Sequence, residues 1–334
     1  MRKRYRTVLL LVVVVAAAIV TRFLYPTISI TPSDAADVVS SSSSPTSSLA
    51  TSSQVSALDS ADGVADAAVN ASTSAYFGET NIAGSVFSRT QTTQVPTFAQ
   101  QASLVADLTN GIALAAVGQN TRWPMASLTK LMTATLVFDH ISMDTKITVS
   151  PQMLAIDPSE TTLVANGAYT VNDLLHVMLM PSSNVAAEAM ATFYGRAAFM
   201  AEMNQRAQAW GMKSTYFDDP SGLSSANESS AHDLMILAQH VYKDYPQVLA
   251  ITRTPVTTIT ELNSGRQYSV KSINSFAGET NFVGGKTGHT NEAQDNLLSI
   301  FNYHNNPVLI IVLGTTDRFG DTTKLLNWFT MNYQ

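Results

Sequence analysis

The sequence predicts a mixed α/β (α+β) domain over residues 98–334, and three observations carry that expectation. Apolar runs of strand length stand at both ends of the region: around Leu104, at Ile112-Ala113-Leu114, at Val283, at Leu297-Leu298-Ser299-Ile300, and from Val308 to Leu313. The middle third, residues 146–250, carries helical spacing and helix-start chemistry instead. The stretch is roughly 235 residues long, which suits one domain with a sizeable core and room for two lobes.

What precedes the domain has a different composition. Arg2, Lys3, Arg4 and Arg6 stand before an uninterrupted apolar run from Val8 to Val20, the pattern of an export signal that leaves its positive charge inside. The run is shorter than the ~20 residues a spanning helix needs, and Ala16-Ala17-Ala18 offers a cleavage site. Against that, Arg22 can snorkel and Phe23, Leu24 and Tyr25 extend the segment to the outer interface. The expectation is an extracytoplasmic protein whose residues 1–30 stay as a membrane anchor, with secretion after cleavage as the alternative. Residues 31–97 are rich in Ser, Thr and Ala, include Ser40 to Ser44, and have no Lys or Arg between Arg22 and Arg89. Such a stretch buries too little apolar surface to order itself and reads as a disordered linker. Its r.m.s. span as a tether would be roughly 40–48 Å.

Within the domain each helix has a local reason. Pro124-Met125-Ala126 leads into a stripe of Leu128, Leu131, Met132, Leu136 and Val137, with Ser127 at the helix start. Thr170 is placed to cap a helix over residues 171–180, with Asp173 at the box position and Pro181 as its stop. A second helix resumes from Val185 to Tyr194, so Ser182 and Asn184 fall in the turn between the two. Further helices are expected near 196–210 and 230–243, the latter capped by Ser230 with Asp233 completing the box. Asn305-Asn306-Pro307 marks a turn between the last two strands, and Asp321 to Tyr333 forms the closing helix.

Three short strings then occur in order: Ser127-Leu128-Thr129-Lys130, Ser182-Ser183-Asn184, and Lys286-Thr287-Gly288. A hydroxyl nucleophile needs a base within reach, and Lys130 lies one helical turn after Ser127, on the same face. Of the eight lysines only Lys130 has a serine three residues before it, and only Lys286 is followed by Ser or Thr and then Gly. Ser182-Ser183-Asn184 is weak alone, because Ser225-Ala226-Asn227 and Ser272-Ile273-Asn274 share its form. Taken singly, the strings read as a solvated helix face, an Asx turn and a hairpin turn. Taken in order, they describe a serine acyl-transfer site. An ordinary lysine titrates near 10.4, so holding Lys130 neutral near pH 7 requires a shift worth roughly 4 kcal/mol. Burial and a second cation, Lys286, both push that way.

In these strings the chain closely resembles the penicillin-recognising serine enzymes, and within them the D-alanyl-D-alanine carboxypeptidases of low molecular mass. The resemblance runs from Ser103 to the C-terminus. It is carried also by Ala126 to Ala134, Asp219-Pro220-Ser221-Gly222-Leu223, Ser230-Ala231-His232-Asp233-Leu234 and Gly284-Gly285-Lys286-Thr287-Gly288-His289-Thr290. It implies an antiparallel sheet flanked by helices, with the helical middle as a second, mainly helical lobe. It also implies an acyl-enzyme on Ser127, with Lys130 as base, Ser182 relaying a proton to the leaving amine, and Asn184 orienting Lys130 and holding substrate. Backbone N–H groups of Ser127 and His289 would face the oxyanion, while Lys286, Thr287, Gly288 and Arg318 would line the site of the terminal carboxylate. The implied partners are peptidoglycan stem peptides and β-lactam inhibitors. Two departures stand out: Ser183 where the family usually has glycine, and Ala293-Gln294-Asp295 where it tends to read Ala-Gly.

Other classes fit less well. The chain has no cysteine, its six histidines lack HExxH spacing, and its net charge is −6 with the only basic cluster at the extreme N-terminus. No metal or cofactor is implied, and nucleic acid is not an expected partner. A class A-like β-lactamase would need a glutamate loop between the second and third strings. Glu261-Leu262-Asn263 is a superficial match, close before Lys286. An endopeptidase acting on D-alanyl cross-links would use the same residues as a carboxypeptidase, and a silent wall-binding module would need a broken site.

Overall fold

The computed structural model describes residues 76–77 and 83–334; the expected signal or anchor, and most of the expected linker, lie outside the described residues. The strands that matter are β1 (Tyr76–Phe77), β2 (Ala102–Asp107), β3 (Ile112–Val117), β4 (Val256–Thr260), β5 (Gln267–Lys271), β6 (Phe282–Thr290), β7 (Gln294–Tyr303) and β8 (Asn306–Thr315). Six of them form one antiparallel sheet in the order β1-β3-β2-β8-β7-β6, while β4 and β5 make a separate hairpin. The helices are α1 (Lys130–His140), α2 (Val171–Leu179), α3 (Asn184–Tyr194), α4 (Arg196–Ala209), α5 (Ala231–Asp244), α6 (Pro246–Thr252) and α7 (Arg318–Asn332).

The continuous apolar run in β8 follows from burial on both faces of the sheet, since alternate residues of a strand point to opposite sides. Leu309, Ile311 and Leu313 join the core shared with the helical lobe, and Val308, Ile310 and Val312 join the core beneath α7. The turn between β7 and β8 falls at His304-Asn305, both at positive φ (51° and 64°), as a two-residue hairpin turn requires. It therefore lies one step earlier than Asn305-Asn306-Pro307, and Pro307 already pairs opposite Asn302.

The expected helices are present, with corrected ends. The Thr170 hydroxyl accepts from Asp173 N at 3.0 Å and that of Ser230 from Asp233 N at 3.2 Å. The second box is not closed as expected: the Asp233 carboxylate turns to Ser214 N (2.7 Å) and Thr215 Oγ1 (2.9 Å), so it ties a loop to α5. The last helix starts at Arg318, ahead of Asp321, because Asp317 accepts from Gly320 N at 2.9 Å and caps it.

The linker boundary at residue 97 also needs correction. Phe87 is buried edge-on against Phe329, with ring centroids 5.0 Å apart. Ser88 N donates to Gln334 O (3.0 Å), Thr90 N to Asn332 O (2.7 Å) and Trp328 Nε1 to Thr93 O (3.1 Å). Residues 85–97 thus belong to the domain. Their Ser/Thr-rich composition hides two or three anchoring side chains whose partners lie over 200 positions away. No helix among the described residues is long and apolar enough to cross a membrane.

Candidate active site

Ser127 lies in a single 3₁₀ turn, Ala126–Thr129, that runs directly into α1. In a 3₁₀ turn residues i and i+3 eclipse, and Lys130 Nζ stands 2.7 Å from Ser127 Oγ. The turn is entered through Ala126 at φ 48°, and it is pressed from outside by Gly222 at φ +85°. A Cβ on Gly222 would come within 1.9 Å of the Ala126 carbonyl oxygen and 2.9 Å of Ser127 N, so only glycine fits.

Lys130 is fully buried, and its Nζ also meets Asn184 Oδ1 at 2.7 Å and the Ser221 carbonyl at 2.6 Å. That carbonyl is aimed by a tight loop in which one carboxylate, Asp219, accepts from Ser221 N, Gly222 N and Ser224 N at 2.6–2.7 Å. Burial would raise the Asp219 carboxyl, but the hydrogen bonds from Ser224, Ser221 and Gly222 outweigh it and hold the group below its ordinary range. Burial brings the Lys130 ammonium down from 10.5 to about 7, against the opposing pull of Asp219 and then Asp157.

The second string closes the gap between α2 and α3. Ser182 has the left-handed φ of 71°, and its Oγ accepts from Lys286 Nζ at 2.8 Å. Ser183 caps α3 by accepting from Ala186 N at 3.1 Å and donates to Glu160 Oε2. Asn184, the first residue of α3, uses its Nδ2 to reach Asp157 Oδ2 at 2.7 Å.

The third string lies on β6, the edge strand of the sheet, whose other edge pairs with β7. Lys286 is buried, and that burial, followed by the charges of Lys130 and Arg318, drives its ammonium well below 10.5. A Cβ on Gly288 would come within 2.9 Å of Met125 O and 3.3 Å of Ser127 N, so glycine lets the strand edge approach Ser127. His289 is exposed, with Nδ1 2.9 Å from Asp295 Oδ1. Arg318 donates through Nη1 to Gly288 O at 2.9 Å and lies 3.2 Å from the same Asp295 oxygen.

The structure therefore gathers Ser127, Lys130 and Asn184 around one amine and Ser182, Lys286 and Thr287 around another. Gly288 adjoins Ser127, and His289 and Arg318 stand at the rim. Sequence reasoning missed Asp157 and Glu160, which hold the second string, and the role of the Ser221 carbonyl. It noted Asp295 only as a departure. Gln294, in the place of the family's glycine, holds a left-handed φ of 53°, the region that favours glycine. Glu261 is not at the site: its carboxylate is consumed by Ala168 N (2.9 Å), Asn263 N (3.0 Å) and Ser264 N and Oγ (2.8 and 2.6 Å) in the β4–β5 turn.

A serine hydroxyl held against a buried amine of lowered basicity, beside an open strand edge, defines a serine acyl-transfer enzyme. The family model of D-alanyl-D-alanine carboxypeptidases matches residues 89–317. The chain is 32% identical over 245 residues to a D-alanyl-D-alanine endopeptidase of Pseudomonas aeruginosa, covering 69% of this chain and 77% of that one. It is 29% identical over 259 residues to the carboxypeptidase DacA of Haemophilus influenzae, covering 72% and 64%. The crystal structure of the Streptomyces K15 DD-transpeptidase superposes with a TM-score of 0.65 at 27% identity, covering 71% of this chain and 98% of that one. The chain belongs to the D-alanyl-D-alanine carboxypeptidase family of serine peptidases.

Proposed function

We propose that the protein removes the terminal D-alanine from peptidoglycan stem peptides through an ester on Ser127, and that β-lactams acylate the same serine. One observation carries this reading: two of the three polar partners of Lys130 Nζ, Asn184 Oδ1 and the Ser221 carbonyl, can only accept. A neutral amine must direct its two N–H groups at them, which leaves its lone pair for Ser127, the one partner with a proton to give.

Ser127 Oγ attacks the carbonyl between the two D-alanines while its proton passes to Lys130. The oxyanion faces the N–H groups of Ser127 and His289, and losing one such donor typically costs about 10²–10³ in rate. The proton that Lys130 took from Ser127 passes by way of Ser182, hydrogen-bonded to Lys286, to the leaving amine, and D-alanine departs. Thr287, Gly288, Lys286 and Arg318 hold the terminal carboxylate, and water then cleaves the ester.

An endopeptidase that cuts D-alanyl cross-links is the second reading, favoured by the name of the Pseudomonas relative. The basic N-terminal segment supports an extracytoplasmic location with a membrane tether. Incubation with monomeric and cross-linked muropeptides separates the two activities: free D-alanine from pentapeptide stems marks the carboxypeptidase, and conversion of dimers to monomers the endopeptidase. A labelled penicillin that marks wild type and Ser127→Ala equally would sink the assignment.

A further inference from the structure

The direction of the Lys130 lone pair depends on which end of the Asn184 amide faces it. With Oδ1 toward Nζ, the amine donates to Asn184. With the amide turned over, Nδ2 would compete with Ser127 for that lone pair. Asn184 cannot choose alone, because its two ends are nearly the same size and differ only in what they bond. The choice is made on the far side, where Asp157 Oδ2 accepts from Nδ2 at 2.7 Å. A carboxylate can only accept, so Nδ2 must face it and Oδ1 must face Lys130.

Asp157 is itself held. Its other oxygen accepts from Ser159 N (3.0 Å) and Ser159 Oγ (2.5 Å), which leaves Oδ2 for Asn184. Three residues on, Glu160 accepts from Ser183 through one oxygen and from Thr162 N (2.7 Å) and Leu163 N (3.3 Å) through the other. Both residues of the second string that follow Ser182 are therefore gripped by one half-buried surface segment. Ser183 stands where the family usually has glycine, which has no hydroxyl with which to make the Glu160 contact.

We propose that Asp157 is a positioning residue for acylation, fixing the orientation of Asn184 and so the face that Lys130 turns to Ser127, with the Glu160–Ser183 bond clamping the same segment. The proposal rests on the reading that Ser127 is acylated. The charged groups around Lys130 are Asp157 from this segment, Asp219 from the loop before α5, and Lys286 from β6, with Arg318 acting on Lys286.

The test is the second-order rate of labelling by a fluorescent penicillin, measured across pH for the full chain. Asp157→Ala is expected to lower the rate about tenfold or more, the scale of a mis-set reacting geometry. Asp157→Asn, whose own oxygen can still face Nδ2, should keep most of the rate while its acidic limb moves to lower pH, because a carboxylate that raised Lys130 has been removed. In an Asn184→Ala background, Asp157→Ala should have no further effect. Equal labelling of wild type and Asp157→Ala at every pH overturns the proposal alone, as does full additivity of the two alanine changes. No labelling of wild type overturns the functional reading and the proposal with it.

Discussion

Asp295 and Arg318 share a salt bridge of 3.2 Å beside the Gly288 carbonyl, so the arginine proposed to receive the substrate carboxylate already faces a carboxylate of its own. Both side chains are mostly shielded, and His289 leans on the same oxygen at 2.9 Å. A substrate carboxylate must compete with Asp295 for Arg318. Asp295→Asn is expected to lower KM for a D-alanyl-D-alanine peptide by roughly three- to tenfold, the scale of one partly screened ion pair, with kcat little changed. Steady-state D-alanine release measures both. An unchanged or raised KM would remove Arg318 from carboxylate recognition.

Acylation should track deprotonation of Lys130. Its ammonium titrates at about 7, so the rate of penicillin labelling should climb about tenfold per pH unit below that value and flatten above it. Lys130→Arg, which stays charged at every accessible pH, should label at least about a thousandfold more slowly. A flat profile between pH 5 and 8 would remove Lys130 as the base.

The same titration bears on stability. Lys130 is held at about 7 in the folded chain against 10.5 when free, so between those values the unfolded chain binds the extra proton. Stability must therefore rise with pH across that window, by up to about 5 kcal/mol for this group. Below pH 7 the burial penalty is fully present. Thermal unfolding should show wild type gaining stability from pH 6 to 9, and Lys130→Met showing a shallower gain.

Gly222→Ala should disable the nucleophile without touching any reacting group. The new methyl would lie 1.9 Å from the Ala126 carbonyl oxygen, at a φ of +85° that disfavours a side chain. A stability loss of about 2–3 kcal/mol and loss of penicillin labelling are expected together. Labelling at the wild-type rate would show that the turn can yield.

Gln294→Gly is the opposite case. Gln294 is exposed and holds φ 53° at the start of β7. Relief of the left-handed strain is worth about 1 kcal/mol, or roughly 2–4 °C in Tm for a domain of this size. D-alanine release should stay at the wild-type level, and a lowered Tm would mean that the glutamine side chain makes a contact of its own.

Much of the candidate site's geometry was legible because its residues sit in short strings with rare spacing: Lys130 after Ser127, Thr287 and Gly288 after Lys286. The helical middle was legible from caps such as Thr170 and Ser230, whose hydroxyls meet local N–H groups wherever the chain packs. Asp157 and Glu160 were not legible, because a surface acid in an aperiodic stretch looks like any other until its long-range partner is known. The same holds for Phe87 and Thr93, which composition assigned to a linker and α7 claims for the domain. Helix α6 was missed for a related reason, being a single proline-started piece of two turns. Asp233 looked like a local cap partner, yet its carboxylate serves a loop that local spacing does not encode.

The last helix also has a mechanical meaning. Its first residue, Arg318, touches the Gly288 carbonyl at the mouth of the cleft, and its final turn carries Asn332, which fastens the incoming chain at Thr90 and Thr93. The helix they bound is fifteen residues long, a rod of about 22 Å. A pull transmitted along the polypeptide from upstream meets the β1–β3 pairing and the bonds of Ser85 and Val86 to Asp107 first, and then the Asn332 end, a helix length away from Arg318. The anchorage can strain while the reaction chamber keeps its shape.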